Sequence, residues 1–245
     1  MDIAYTVGRF QPPTIGHKSL IEEVMKLGKA YVFVSSSKPD KLKNPLSIDQ
    51  KMPILEHMFE NEIRDGKLVI VNTAEDCGNC GGPGRALNWL RTKEPGKITL
   101  VVGDHPEFAL GQPIWGNPPS QPNEVKMLEA GTARTKTIDE PGDLESYNMS
   151  GTKSRLLVAM GRKADFYKSV GYEGQINVPE VEKVYKTIKA WVAKMPAKKG
   201  GNKPLEDVSS ADMEYDIRDY LPKDRTRRRR KTNSRTVRKT KHKHF

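Results

Sequence analysis

Gly8-Arg9-Phe10-Gln11-Pro12-Pro13-Thr14-Ile15-Gly16-His17 decides how this 245-residue chain is read. The apolar run Ile3-Ala4-Tyr5-Thr6-Val7 precedes it and predicts a buried first strand. His17 to Leu27 follows, with apolar residues at helical spacing, and predicts an amphipathic helix. Strand, tight glycine turn and helix together aim backbone N–H groups at an anion. Glycine lets the backbone approach a phosphate, and the helix N-terminus favours negative charge there. His17, at the mouth of that helix, is placed to donate a hydrogen bond to a phosphoryl oxygen in a transition state.

Working outward, Gly28 stands where a helix C-cap is expected, and Ala30 to Ser35 predicts a second buried strand. A polar loop leads to Asn44-Pro45-Leu46-Ser47. Ser47 or Asp49 is the candidate cap of a helix running through Met52 to Phe59, with Pro53 near its start. Leu68 to Val71 predicts a third strand, and Pro83 opens a helix with Leu87, Trp89 and Leu90 on or near its buried side. Lys97 to Val102 predicts a fourth strand, ending in Gly103-Asp104. Glu107 to Pro122 reads as an irregular loop, 132–138 as a fifth strand, Met149 to Met160 as a helix and Val178 to Val192 as a closing helix. This alternation predicts an α/β fold, a Rossmann-like parallel sheet flanked by helices. Ligands in such sheets bind beyond the carboxyl ends of the strands, where Gly8, Ser35, Gly103 and Asp104 fall. No internal repeat is visible.

A second motif, Ser150-Gly151-Thr152-Lys153-Ser154-Arg155, stands at the predicted start of the late helix. Hydroxyls, backbone N–H groups and an arginine one turn in suit the β- and γ-phosphates of a nucleotide. The two motifs resemble the paired signatures of the nucleotidylyltransferase superfamily, T/H-x-G-H and Ser-x-Thr-x-x-Arg. The Gly-Arg-Phe-Gln-Pro lead-in is most similar to nicotinamide-mononucleotide adenylyltransferases. Many of those carry histidine where this chain has Thr14. Asn44-Pro45-Leu46-Ser47 looks like their Asn-Pro-Phe-Thr segment, followed here by Gln50-Lys51 in place of Glu-Arg. The resemblance implies that Thr14, His17 and Arg155 serve the reaction. It also implies that Gly8, Arg9, Phe10, Gln11, Gly16, Gly103, Asp104, Ser150 and Thr152 shape the nucleotide site. Magnesium would be held mainly by substrate phosphates rather than by protein ligands.

Composition sets the remaining bounds. No apolar run approaches the ~20 residues of a membrane helix, and no signal peptide is visible. The net charge of +11 is a property of the end of the chain: Lys223 to Phe245 holds twelve Lys/Arg against one acid, and the rest holds thirty of each. The expected organisation is a catalytic domain over 1–193, a linker and acidic segment over 194–222, and a disordered basic tail over 223–245. The tail suits nucleic-acid binding, nuclear targeting or solubilisation alike. Cys77-Gly78-Asn79-Cys80 has half of a metal-knuckle spacing, but no second cysteine pair exists, and a flexible loop is expected. Two cysteines are too few for a disulfide scaffold, which fits an intracellular, cytoplasmic location. Trp89 and Trp115 are candidates to stack on a flat base.

The expected activity is transfer of a nucleoside monophosphate from a triphosphate to a phosphorylated small molecule. ATP and nicotinamide mononucleotide lead on resemblance. Alternatives are cytidylyl transfer, a phosphopantetheine acceptor, or a non-catalytic relative that binds nucleic acid through its tail. Class I aminoacyl-tRNA synthetases share the His-x-Gly-His turn, but this chain lacks room for their other domains.

Overall fold

A computed structural model describes residues 2–36, 38–40, 44–103, 110, 121–128 and 149–194. Strands β1 (Ile3–Gly8), β2 (Lys29–Val34), β3 (Leu68–Asn72), β4 (Ile98–Val102) and β5 (Glu124–Met127) form one parallel sheet in the order β3-β2-β1-β4-β5. Helices α1 (Ile15–Met25), α2 (Ile48–Met58), α3 (Glu60–Arg64) and α4 (Pro83–Lys93) lie between the first four strands. Helices α5 (Gly151–Ala159), α6 (Lys163–Ser169) and α7 (Pro179–Lys194) follow β5. The Rossmann-like architecture expected from the sequence is therefore present. The strand order reverses between β1 and β4, the topological switch point at which such sheets bind ligands.

Strand alternation divides the core in two. Ala4, Ala30, Val32, Val34 and Val101 face Ile21 and Val24 of α1, Ile54 and Leu55 of α2, and the apolar sides of α5, α6 and α7. Ile3, Tyr5, Tyr31, Phe33 and Leu100 face the other way, onto Ala86, Leu87 and Leu90 of α4. Trp89 belongs to this second layer, edge-on to Tyr31 and Phe33, which places it in the core rather than in a base-stacking position.

Helix boundaries mostly follow the expected signals, with local corrections. Ser47, not Asp49, caps α2: its backbone N–H donates to Gln50 Oε1 in a capping box. The helix therefore starts earlier than expected, and Pro53 lies inside it rather than in the first turn, where a missing N–H is harmless. Lys26 caps α1, and Gly28 has a different task. Its φ is +143°, and a Cβ there would lie 2.1 Å from the Asp2 carbonyl oxygen, which accepts from Lys29 N–H. β5 falls just beyond the expected irregular loop and is a short edge strand paired with β4, with a Lys97–Glu124 ion pair where the two strands begin. The expected strand over 132–138, Asp104, Trp115, the segment 195–222 and the tail 223–245 lie outside the described residues. Among the described residues no helix is long and apolar enough to cross a membrane.

Gly28→Ala should destabilise the fold by about 2–3 kcal/mol, because it combines a backbone conformation reserved for glycine with a collision against main chain. Urea unfolding at fixed pH reads this directly. A change under about 0.5 kcal/mol would show that the turn relaxes freely.

Candidate active site

The first motif becomes a rigid loop before it becomes a helix. Phe10 takes a positive φ of 50° and buries its ring, which lies edge-on to His17 with centroids 5.0 Å apart. A Cβ on Gly8 would meet that ring at 2.7 Å, so any other residue where β1 ends would have to displace the buried ring. The Gln11–Pro12 peptide is cis. Gln11 turns inward and makes a reciprocal pair with Leu46: its Nε2 donates to the Leu46 carbonyl at 3.0 Å, and Leu46 N–H donates to its Oε1 at 2.9 Å. The Asn44–Ser47 segment thus clamps the loop.

Thr14 caps α1, and His17 occupies the position that Glu or Gln takes in an ordinary capping box. Thr14 N–H donates to His17 Nδ1 at 3.1 Å, and the Thr14 hydroxyl lies 2.8 Å from the same nitrogen. An Nδ1 that accepts leaves the proton of the neutral ring on Nε2. Thr14 is fully buried, and its hydroxyl also reaches the Met149 carbonyl at 3.4 Å. Gly16 lies in the first turn of α1.

The late motif closes onto this loop. Ser150 caps α5, its Oγ accepting from Lys153 N–H at 3.3 Å. A Cβ on Gly151 would sit 2.8 Å from the Gln11 carbonyl oxygen, so only glycine permits the approach. Arg155 Nη1 donates to that same carbonyl, and Nη2 donates to Thr152 Oγ1 at 3.0 Å. The Arg155 guanidinium lies 5.7 Å from the Trp191 ring centre. Trp191 in turn donates from Nε1 to the Asp40 carbonyl at 2.8 Å.

Charge at this junction is lopsided. Arg155 is buried, its Nε has no hydrogen-bond partner, and its pKa is pulled down to about 10, first by burial and then by the Arg9 charge. No carboxylate offsets it among the described residues. Below the loop, Lys51 is wholly buried, with Nζ donating to the carbonyls of Arg9, at 3.1 Å, and Ser35. Burial lowers its pKa to about 8. Ser35 N–H donates to Gly8 O at 2.9 Å, so Lys51 ties together the carboxyl ends of β1 and β2. Beside them opens a pocket of 560 Å³ lined by Ser35, Ser36, Asn79, Gly81, Gly82 and Arg85.

The structure thus brings Gly8, Arg9, Phe10, Gln11, Thr14, Gly16, His17, Ser150, Thr152 and Arg155 into one region. Gly103 follows β4 at the same, carboxyl end of the strands. Phe10 and Gln11 are supports with buried side chains. Lys51 stood out in sequence only as a departure from a family pattern, and Trp191 did not stand out at all. Cys77 and Cys80 are joined in a disulfide, so neither is a thiolate ligand.

Residues 5–110 match the family model described as cytidylyltransferase-like. The matched segment includes the first motif, Lys51 and the pocket but stops short of Ser150, so the two motifs are joined by the fold rather than by the match. Among solved structures, the chain resembles one from Vibrio parahaemolyticus assigned as a nicotinate-nucleotide adenylyltransferase. The identity is 13% and the TM-score 0.46, covering 76% of this chain and 98% of that one. It also resembles the Plasmodium falciparum nicotinic acid mononucleotide adenylyltransferase complexed with NaAD, at 9% identity and a TM-score of 0.41, covering 79% and 95%. No curated protein matches the chain in sequence.

The depressed Lys51 pKa fixes the sign of a pH effect on stability. Between the folded value of about 8 and the usual lysine value of 10.5, the folded state binds fewer protons than the unfolded state. Stability from this group therefore rises with pH in that window. The neutral amine keeps two N–H donors for its two carbonyls. Relative to Lys51→Met, the wild type should gain about 1.4 kcal/mol per pH unit across the window, measured by denaturant unfolding of both proteins. A difference independent of pH would mean that the lysine titrates normally.

Proposed function

We propose that this chain is a nucleotidylyltransferase that moves a nucleoside monophosphate, AMP from ATP in the leading case, onto a phosphorylated acceptor. Nicotinamide mononucleotide is the leading acceptor. The observation that carries this reading is the buried, carboxylate-free Arg155, fixed by Gln11 O and Thr152 Oγ1 where the two motifs meet. A buried guanidinium that faces another cation calls for an anion of high charge, and a triphosphate supplies it.

An oxygen of the acceptor phosphate attacks the α-phosphorus, the bond to the β-phosphate oxygen breaks, and pyrophosphate leaves. The attacking phosphate is anionic at neutral pH, so no strong base is required. The protein acts by positioning and by neutralising charge. His17 Nε2–H donates to an oxygen on the reacting phosphorus. Thr14 orients the imidazole through Nδ1, a supporting role in place of direct phosphate contact. Ser150, Thr152 and Arg155 hold the β/γ end and the departing pyrophosphate, while Gly8 and Arg9 form the mouth. The 560 Å³ pocket receives the acceptor. Magnesium bridging the phosphates would add further charge neutralisation. It would be held mainly by substrate phosphates and water.

Pyrophosphate release from ATP, CTP and GTP, crossed with a panel of phosphorylated acceptors, tests the reading. Release is expected with one pair, led by ATP and nicotinamide mononucleotide. His17→Ala should lower kcat by about 10²–10³ with little change in KM for ATP. Wild-type turnover in that variant would remove His17 from the reaction. Absence of both turnover and nucleotide binding would overturn the proposal.

A further inference from the structure

The pocket beside β2 and β3 has a wall that no nucleotide-site residue explains. We propose that Cys77–Cys80 is a reversible redox site whose oxidation state sets the shape of that pocket and so its hold on the acceptor. This rests on the pocket receiving the acceptor.

The wall is built outward from the disulfide. Cys77 and Cys80 enclose only Gly78 and Asn79, which both adopt positive φ, 59° and 78°. Glycine adopts that conformation freely and asparagine less readily, so Asn79 is the residue of the ring whose backbone the cross-link helps to hold. Asn79 is the hub. Its N–H donates to Thr73 O at 2.6 Å, and its carbonyl accepts from Arg85 Nη1 at 3.3 Å. Thr73 Oγ1 accepts from Ser36 N–H at 3.0 Å. Three lining residues, Ser36, Asn79 and Arg85, are therefore placed through a loop whose closure is the disulfide.

The two sulfurs differ in access. Cys80 is buried against the α4 layer, whereas Cys77 is partly exposed. A dithiol reductant can attack Cys77 Sγ. The S–S bond breaks, Cys80 leaves as thiolate and takes a proton, and a mixed disulfide forms at Cys77. The reductant's second thiol then closes its own disulfide and releases Cys77 as a thiol. Two electrons pass from the reductant to the protein. The reduced loop is free to abandon the two left-handed residues, and Arg85 loses its fixed acceptor.

The test uses the full chain, oxidised or reduced with dithiothreitol, with thiol content confirmed by alkylation and mass spectrometry. Amide hydrogen exchange is read at Ser36 and over residues 81–86, outside the cysteine loop itself. Steady-state kinetics with ATP and nicotinamide mononucleotide, or whichever pair proves active, is read in parallel. Reduction should speed exchange at these amides and raise the acceptor KM about tenfold, leaving the ATP KM within about twofold. Reoxidation should restore both. Cys77→Ser, which spares the buried Cys80, should show the reduced values with or without reductant. Melting curves confirm that the variant is folded, and reduction of the wild type gives the same comparison with no substitution. Equal exchange and equal acceptor KM in the two redox states would overturn the proposal. If no substrate pair turns over, the functional reading fails by itself and exchange decides the redox site: faster at Ser36 and 81–86 upholds it, unchanged refutes it.

Discussion

One carbonyl group organises this protein. The Gln11 oxygen, presented by a cis-proline turn after β1, is where residues 144 positions apart in the chain come together. Arg155 donates to it, and Gly151 lies so close that no side chain fits between. On its other side Gln11 is clamped to Leu46, which leads into α2. The two Gln11–Leu46 hydrogen bonds are worth about 1 kcal/mol net each, and the one from the guanidinium about 1.5–3 kcal/mol. Their effect is larger because a buried carbonyl and a buried guanidinium each become costly if left alone. Loss of any one partner exposes another, so the junction forms as a unit.

That unit is electrostatically incomplete by itself. Arg9, Lys51 and Arg155 converge near the ends of β1 and β2, and the pKa values of both Lys51 and Arg155 are lowered. Burial and the Arg9 charge both act against the charged form of Arg155. Cations elsewhere have carboxylate partners, as in the pairs Lys97–Glu124 and Arg162–Asp165. Positive charge gathered at the carboxyl ends of β1 and β2 suits the anionic ligand of the proposed reaction.

Much of this was legible in sequence, for identifiable reasons. β1 to β4 are apolar runs buried on both faces, and Ser47, Pro83 and Pro179 mark helix starts by their own chemistry. α3 and α6 are too short to show a period, and β5 (Glu124–Met127) alternates charge with apolar side chains on an edge, so it carries no run to detect. At the site, residue types were visible and partnerships were not. Nothing local says that His17 replaces a glutamate in a capping box, that the Gln11 side chain faces inward, or that Lys51 is buried under two carbonyls. Trp191 looks like any apolar helix residue until the fold sets it beside Arg155. Cys77 and Cys80 were weighed as metal ligands or loop residues, and their pairing depends on backbone geometry that spacing alone does not supply.

The division between what was and was not legible follows a division of labour. Residues that would meet phosphate are fixed by backbone chemistry: a turn that only glycine can make, a cap that must be a hydroxyl, an arginine one turn into a helix. Few sequences satisfy those demands, so they leave a pattern. The pocket wall obeys looser rules. Ser36, Asn79 and Arg85 are held by a short loop after β3 that need only reach from that strand to α4, and many sequences can do so. Chemistry on a constrained loop and selectivity on a permissive one explains why the reaction class can be argued from this chain more firmly than the acceptor. It also explains why a cross-link in the permissive loop would tune selectivity and leave the phosphate-binding junction untouched.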